Sequence, residues 1–146
     1  MKTLHIFSDA GHAWAKVKKT LLHDLGIAEK ITACSYQYGD YAYLEEDCDL
    51  ETFLVAYFGG EIPKNWSDQL KQVIHYSNYS RIRNYAHYSS KIAPKLSEGT
   101  KFSLYGENFT AINYTGKNWR AESEKSGIIY KIKKSQLGEI EERKGE

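Results

Sequence analysis

The sequence predicts an α+β protein: small antiparallel sheets, two to four short helices and a C-terminal β-rich segment. Three observations predict it. Apolar residues alternate with polar ones over residues 3–8, 12–17 and 31–46, the period of half-buried strands. A stripe of Leu50, Phe53, Leu54, Tyr57 and Phe58 has the period of a helix. From Lys101 onward, short alternating runs are punctuated by Gly-Glu-Asn and Gly-Lys-Asn.

The elements follow in order. Thr3 to Ser8 reads as a strand, and Asp9-Ala10-Gly11 has turn chemistry. His12 to Val17 reads as a second strand. Lys18 to Leu25 reads as a short helix with Val17, Leu21 and Leu25 on one stripe, stopped by Gly26. Residues 31–38 and 41–46 read as two strands around Gly39-Asp40, a two-residue hairpin loop with Gly first.

That loop sets a register. Tyr38 lies opposite Tyr41, Tyr36 opposite Tyr43, and Cys34 opposite Glu45. Opposed residues share a face, as do residues two apart on one strand, so the four tyrosines fall on one face. Ile31, Ala33, Ser35, Ala42 and Leu44 fall on the other. The simplest assignment turns Ala, Leu and Ile toward the core and leaves the tyrosines outward or half exposed. The reverse stays open, since four rings also make a good core. Cys34 and Cys48 would fall on opposite faces, which argues against a disulfide.

Asp49 is the expected N-cap of the helix at 50–58, which Gly59-Gly60 ends. Ser67 is placed to cap a third helix carrying Leu70, Val73 and Ile74, and a helical piece is expected at 81–89. Pro94 stops helical structure. Strands are expected at 101–105, 109–115, 117–122 and 127–133. The domain reading is a core over 1–98, a β-hairpin module over 99–137 that belongs to the same domain or stands beside it, and a frayed tail over 138–146.

Composition narrows the function. The 146 residues carry a formal charge of +1, which excludes both a DNA mimic and a generic polybasic binder. No apolar run is long enough for a membrane span, and the N-terminal residues lack a secretory pattern, so a cytoplasmic setting without membrane is expected. Tyrosine occurs 12 times against 5 Phe and 3 Trp, an excess of side chains that suit half-wet contact surfaces. The five histidines and two cysteines lack metal-site spacing, and no phosphate, dinucleotide or hydrolase motif occurs, so no metal and no cofactor is expected.

Charge is segregated despite the near-zero sum. Six acids and no base lie between Asp40 and Glu51, while seven Lys/Arg and two acids lie between Lys64 and Lys101. Arg81 and Arg83 sit among Tyr76, Tyr79, Tyr85 and Tyr88, a mixture that suits protein hot spots, base stacking or a solvated helix. The acids at 45–49 suit helix capping, an acidic contact patch, or a metal or acid–base site. The candidate contact residues are Tyr36, Tyr38, Tyr41, Tyr43, Glu45, Glu46, Asp47, Tyr79, Arg81, Arg83 and Tyr85, with none assigned to catalysis.

The runs at 9–17, 25–31 and 35–49, with Tyr43-Leu-Glu-Glu-Asp-Cys-Asp49 the most specific, resemble a family of small proteins of phages, prophages and plasmids. The likeness covers about the first 58 residues, with a shorter echo at Ser80-Arg-Ile-Arg-Asn-Tyr85. It implies a setting among accessory genes, which often encode inhibitors of host defence, but no activity. The first expectation is therefore a non-enzymatic inhibitor that occludes a host protein or ribonucleoprotein, alone or as a homodimer. The alternatives are a nucleic-acid binder using residues 75–91, and a small hydrolase or nucleotide-modifying enzyme using Asp9, His12 and the 45–49 acids.

Overall fold

Thr3–Ser8 (β1) and Ala13–Lys18 (β2) pair antiparallel across the turn at Asp9, whose N–H donates to the His12 carbonyl at 2.9 Å. Lys19–Asp24 forms α1. Tyr36–Tyr38 (β3) and Tyr41–Glu45 (β4) form the expected hairpin, with Tyr38 opposite Tyr41 and Tyr36 opposite Tyr43. Leu50–Tyr57 forms α2 and Trp66–Gln69 a single turn, α3. Lys71–Tyr76 (β5) follows, then a 3-10 turn over Arg81–Asn84 and the short Ala86–His87 (β6). These strands make one sheet in the order β5-β1-β2-β4-β3-β6.

The C-terminal strands are Lys101–Leu104 (β7), Glu107–Tyr114 (β8), Trp119–Ser123 (β9), Ile129–Ile132 (β10) and Glu141–Glu142 (β11). They form a second sheet, antiparallel throughout, in the order β10-β9-β8-β7-β11. Its core is Leu96, Phe102, Leu104, Phe109, Ala111, Ala121, Ile132 and Ile140. The computed structural model describes residues 3–92 and 95–143, and its contacts divide the chain into the units Met1–Ser90 and Lys91–Glu146. The protein is thus mixed α+β. No helix among the described residues is long and apolar enough to cross a membrane.

The first sheet uses its two faces differently. One face carries Leu4, Ala15, Val17, Ala42 and Leu44, and packs against Leu22 of α1 and Phe53 and Leu54 of α2. Phe53, Leu4, Leu22, Leu44 and Val17 have no exposed surface. Each such side chain contributes about 1.5–3 kcal/mol relative to exposure. The other face is aromatic and carries the tyrosines: Tyr36, Tyr38 and Tyr41 are half-buried, whereas Tyr43, expected outward or half exposed, is buried at 6% against Trp14 and Ile82.

Several elements differ from expectation. The strand expected from Ile31 begins only at Tyr36, because residues 32–35 are bent and tied to Asp49. Asp49 therefore caps no α2 amide with its side chain: it accepts from Thr32 N, Thr32 Oγ1 and Ser35 Oγ at 3.1, 2.8 and 2.5 Å. The helix expected through Val73 and Ile74 is instead β5, which runs parallel to β1. Two adjacent β-branched residues favour a strand, and β1 supplies the ladder partner. Residues 81–89 hold one 3-10 turn and β6 in place of a helix. In the expected frayed tail, Glu141–Glu142 pairs with Phe102 and Ser103. The expected stop at Pro94 and residues 144–146 lie outside the described residues.

Candidate functional site

Strand register assembles the aromatic face. Phe7 lies opposite Trp14 and level with His75, while Trp14 lies opposite Glu45, Lys16 opposite Tyr43, and Tyr36 opposite both Tyr43 and His87. One face thus presents His75, Phe7, Trp14, Tyr43, Tyr36 and His87 across six strands. Neighbouring rings touch: Phe7 stacks on His75 at 4.6 Å, Tyr36 on His87 at 5.0 Å, and Phe7 meets Tyr43 edge-on at 6.0 Å.

A strap formed by residues 80–85 crosses this face. Ile82, 1% exposed, is its plug and packs with Trp14 and Tyr43. Tyr85 lies 4.7 Å from the Tyr38 ring and 5.2 Å from Tyr43. Asp9 locks the strap: its carboxylate accepts Arg83 Nε at 2.7 Å, Arg83 Nη2 at 2.8 Å and Ser80 N at 3.1 Å. It also accepts Gly11 N and His12 N, each at 3.0 Å. These donors, Arg83 foremost, hold the Asp9 carboxyl well below the usual carboxylate range. A Cβ at Gly11 would come within 3.0 Å of Arg83 Nη2, so the smallest residue stands where the guanidinium passes.

Beside the strap lies a groove of about 660 Å³. Phe7, Lys16, His75, Tyr76, Tyr79 and Arg81 are among the residues that line it, and among the described residues no Asp or Glu does. Tyr76 and Tyr79 are about two-thirds exposed, at 66% and 65%. Arg81 is exposed and forms no ion pair among the described residues. Lys16 Nζ lies 4.1 Å from the centre of the Tyr41 ring. Burial pushes the Tyr43 phenol up to about 12.

The anticipated contact residues divide into three groups. Tyr79 and Arg81 border the groove with open surface. Tyr36, Tyr38 and Tyr41 are half-buried and pack with Trp14 and Ile82 without lining the groove, while Tyr43, 6% exposed, and half-buried Tyr85 of the strap line it. Arg83 faces inward to Asp9, its guanidinium 5.4 Å from both the Trp14 and Tyr79 ring centres. Glu45, Glu46 and Asp47 lie at the far end of β4 and do not line the groove.

Two clusters stand outside the groove, and the first joins His12 to acids of the 45–49 run, as the enzyme alternative groups them. His12 Nδ1 lies 3.1 Å from Glu45 Oε1, and Asp47 N donates to Glu45 Oε2 at 2.8 Å. Cys34 and Cys48, expected on opposite faces, are both free and exposed. The neighbouring Cys34 thiol, partial burial and Glu45 push the Cys48 thiol up to about 12. The break in the strand at Ser35 turns Cys34 toward the 45–49 loop, since Ser35 Oγ is held by Asp49. Asp9 stays apart from His12 and Glu45 as a reactive group, because its oxygens already accept from Arg83 and three amides.

Comparison with protein-family profiles, curated proteins and solved structures finds no match to the chain.

Proposed function

We propose that this chain is a non-enzymatic binding protein that occludes a protein partner, with the groove and the adjoining edge of β5 as its contact surface. The carrying observation is the pair of open anchors there: Tyr76 and Tyr79 are 66% and 65% exposed, and Arg81 lies beside them without an ion-pair partner among the described residues. Interfaces concentrate binding energy in such Tyr and Arg anchors. β5 ends its sheet, so its outer edge pairs with no strand among the described residues and offers backbone groups to an added strand. Lys71 stands at the start of that edge, a charge that discourages indiscriminate pairing. The resemblance to proteins of mobile elements supports, through its implied setting among accessory genes, a protein or ribonucleoprotein of host defence as the partner class.

A second reading, nucleic-acid binding, is favoured by the groove's Lys16 and Arg81 and its lack of acids. Exposed rings beside cations stack bases and hold phosphates. One experiment separates the two. The full chain is used to capture host proteins with and without nuclease, beside the Tyr79→Ala/Arg81→Ala double variant. A partner that survives nuclease and is lost by the double variant supports the first reading. Loss with nuclease, and steep loss with salt, supports the second. Equal capture by both chains overturns the groove assignment.

A further inference from the structure

We propose that His12, Glu45 and Asp47 form a binding site for one divalent transition-metal ion of the zinc or cobalt type. One donor atom from each lies within 4.8 Å of the other two. The fold, rather than chance exposure, brings them together. Trp14 pairs with Glu45 in the β2–β4 ladder, and Glu46 N donates to the Ala13 carbonyl at 3.0 Å, so the residues just outside the two strands meet. The His12 amide is anchored by Asp9 at 3.0 Å, and the Asp47 amide by Glu45 itself.

The charge at this place asks for a cation. The Glu45 side chain is 9% exposed, yet its only ionic partner among the described residues is His12. No Lys or Arg pairs with Glu45 or Asp47 there. A buried carboxylate is stable when compensated by a proton, an ion pair or a metal. A divalent ion would compensate both carboxylates and take the lone pair of neutral His12. One imidazole and two carboxylates suit a borderline divalent ion, whereas calcium and magnesium prefer oxygen alone. Ligand atoms about 2.0–2.2 Å from zinc stand closer together than 4.8 Å. His12 and Asp47 are exposed, so torsions of their side chains close that gap, and water completes the shell.

Zinc titration of the full chain by calorimetry, with cobalt as the spectroscopic probe, tests this. One ion is expected to bind. His12→Gln and Asp47→Asn should each weaken it about tenfold or more. The Cys34→Ser/Cys48→Ser double variant should bind as the parent does, and the cobalt complex should lack a thiolate charge-transfer band. Circular dichroism confirms that each variant is folded, and two exposed substitutions guard against failure of either. The proposal is overturned by affinity weaker than about 0.1 mM, by binding that both variants retain, by a thiolate band, or by loss in the cysteine variant.

Discussion

Arg83 and Asp9, 74 residues apart in sequence, form a two-pronged pair with Nε on one carboxylate oxygen at 2.7 Å and Nη2 on the other at 2.8 Å. Through it the β1–β2 turn holds the strap over the aromatic face. The same carboxylate takes the Ser80 amide, so one side chain fixes both the entry of the strap and its middle.

This pair makes stability depend on acid. The native carboxyl of Asp9 titrates lower than the unfolded one, so the unfolded chain binds the proton more readily. The contribution is complete above the unfolded carboxylate value of about 3.9 and is lost as pH falls below it. Denaturant unfolding across that range should show stability dropping with pH, and Arg83→Met should flatten the slope. Arg83→Lys should also lower the midpoint at neutral pH, since an ammonium cannot reproduce the fork.

Ile82 carries the packing of the strap. It is 1% exposed between Trp14 and Tyr43. Ile82→Ala should cost about 2–5 kcal/mol in urea unfolding.

Tyr79 and Arg81 are the opposite case. Both are exposed, so Tyr79→Ala and Arg81→Ala should leave the melting temperature within a degree or two of the parent, as surface changes do. Each should weaken partner capture by more than about 1 kcal/mol, the range of interface anchors.

Phenol titration followed by ultraviolet absorbance should separate the tyrosines. Tyr43 and Tyr88 are held to about 12 by burial, above the ordinary phenol value of about 10, and should ionise last. Because their native values are raised, their contribution is full below about 10 and is lost as pH climbs toward the native value. Tyr43→Phe should remove part of this alkaline sensitivity.

Tyr105 has φ 52° in the turn between β7 and β8, followed by Gly106 at φ 80°. A left-handed residue other than Gly or Asn costs about 1–2 kcal/mol. Tyr105→Asn should therefore raise stability by up to about 1 kcal/mol in thermal unfolding.

What could be read from the sequence was local. Gly39-Asp40 dictated the hairpin and its register, and with it the shared face of four tyrosines, because a two-residue turn leaves no freedom to slip. The Leu50–Phe58 stripe announced α2. What could not be read depended on distant partners. Val73 and Ile74 fit a helical stripe until β1 offers a parallel ladder. Asp49 looks like a cap until Thr32 and Ser35 claim its oxygens. Arg83 looks like a surface contact residue until Asp9 draws it inward. His12 and Glu45, 33 residues apart, have no motif spacing, since their meeting is made by the pairing of β2 with β4.

The most direct test of the groove as the binding surface is amide hydrogen exchange on the full chain, alone and with its captured partner. Slowed exchange is expected over β5 and residues 77–85, with β8 and β9 unchanged. Protection confined to the second sheet, with β5 and the strap exchanging as in the free chain, would contradict it.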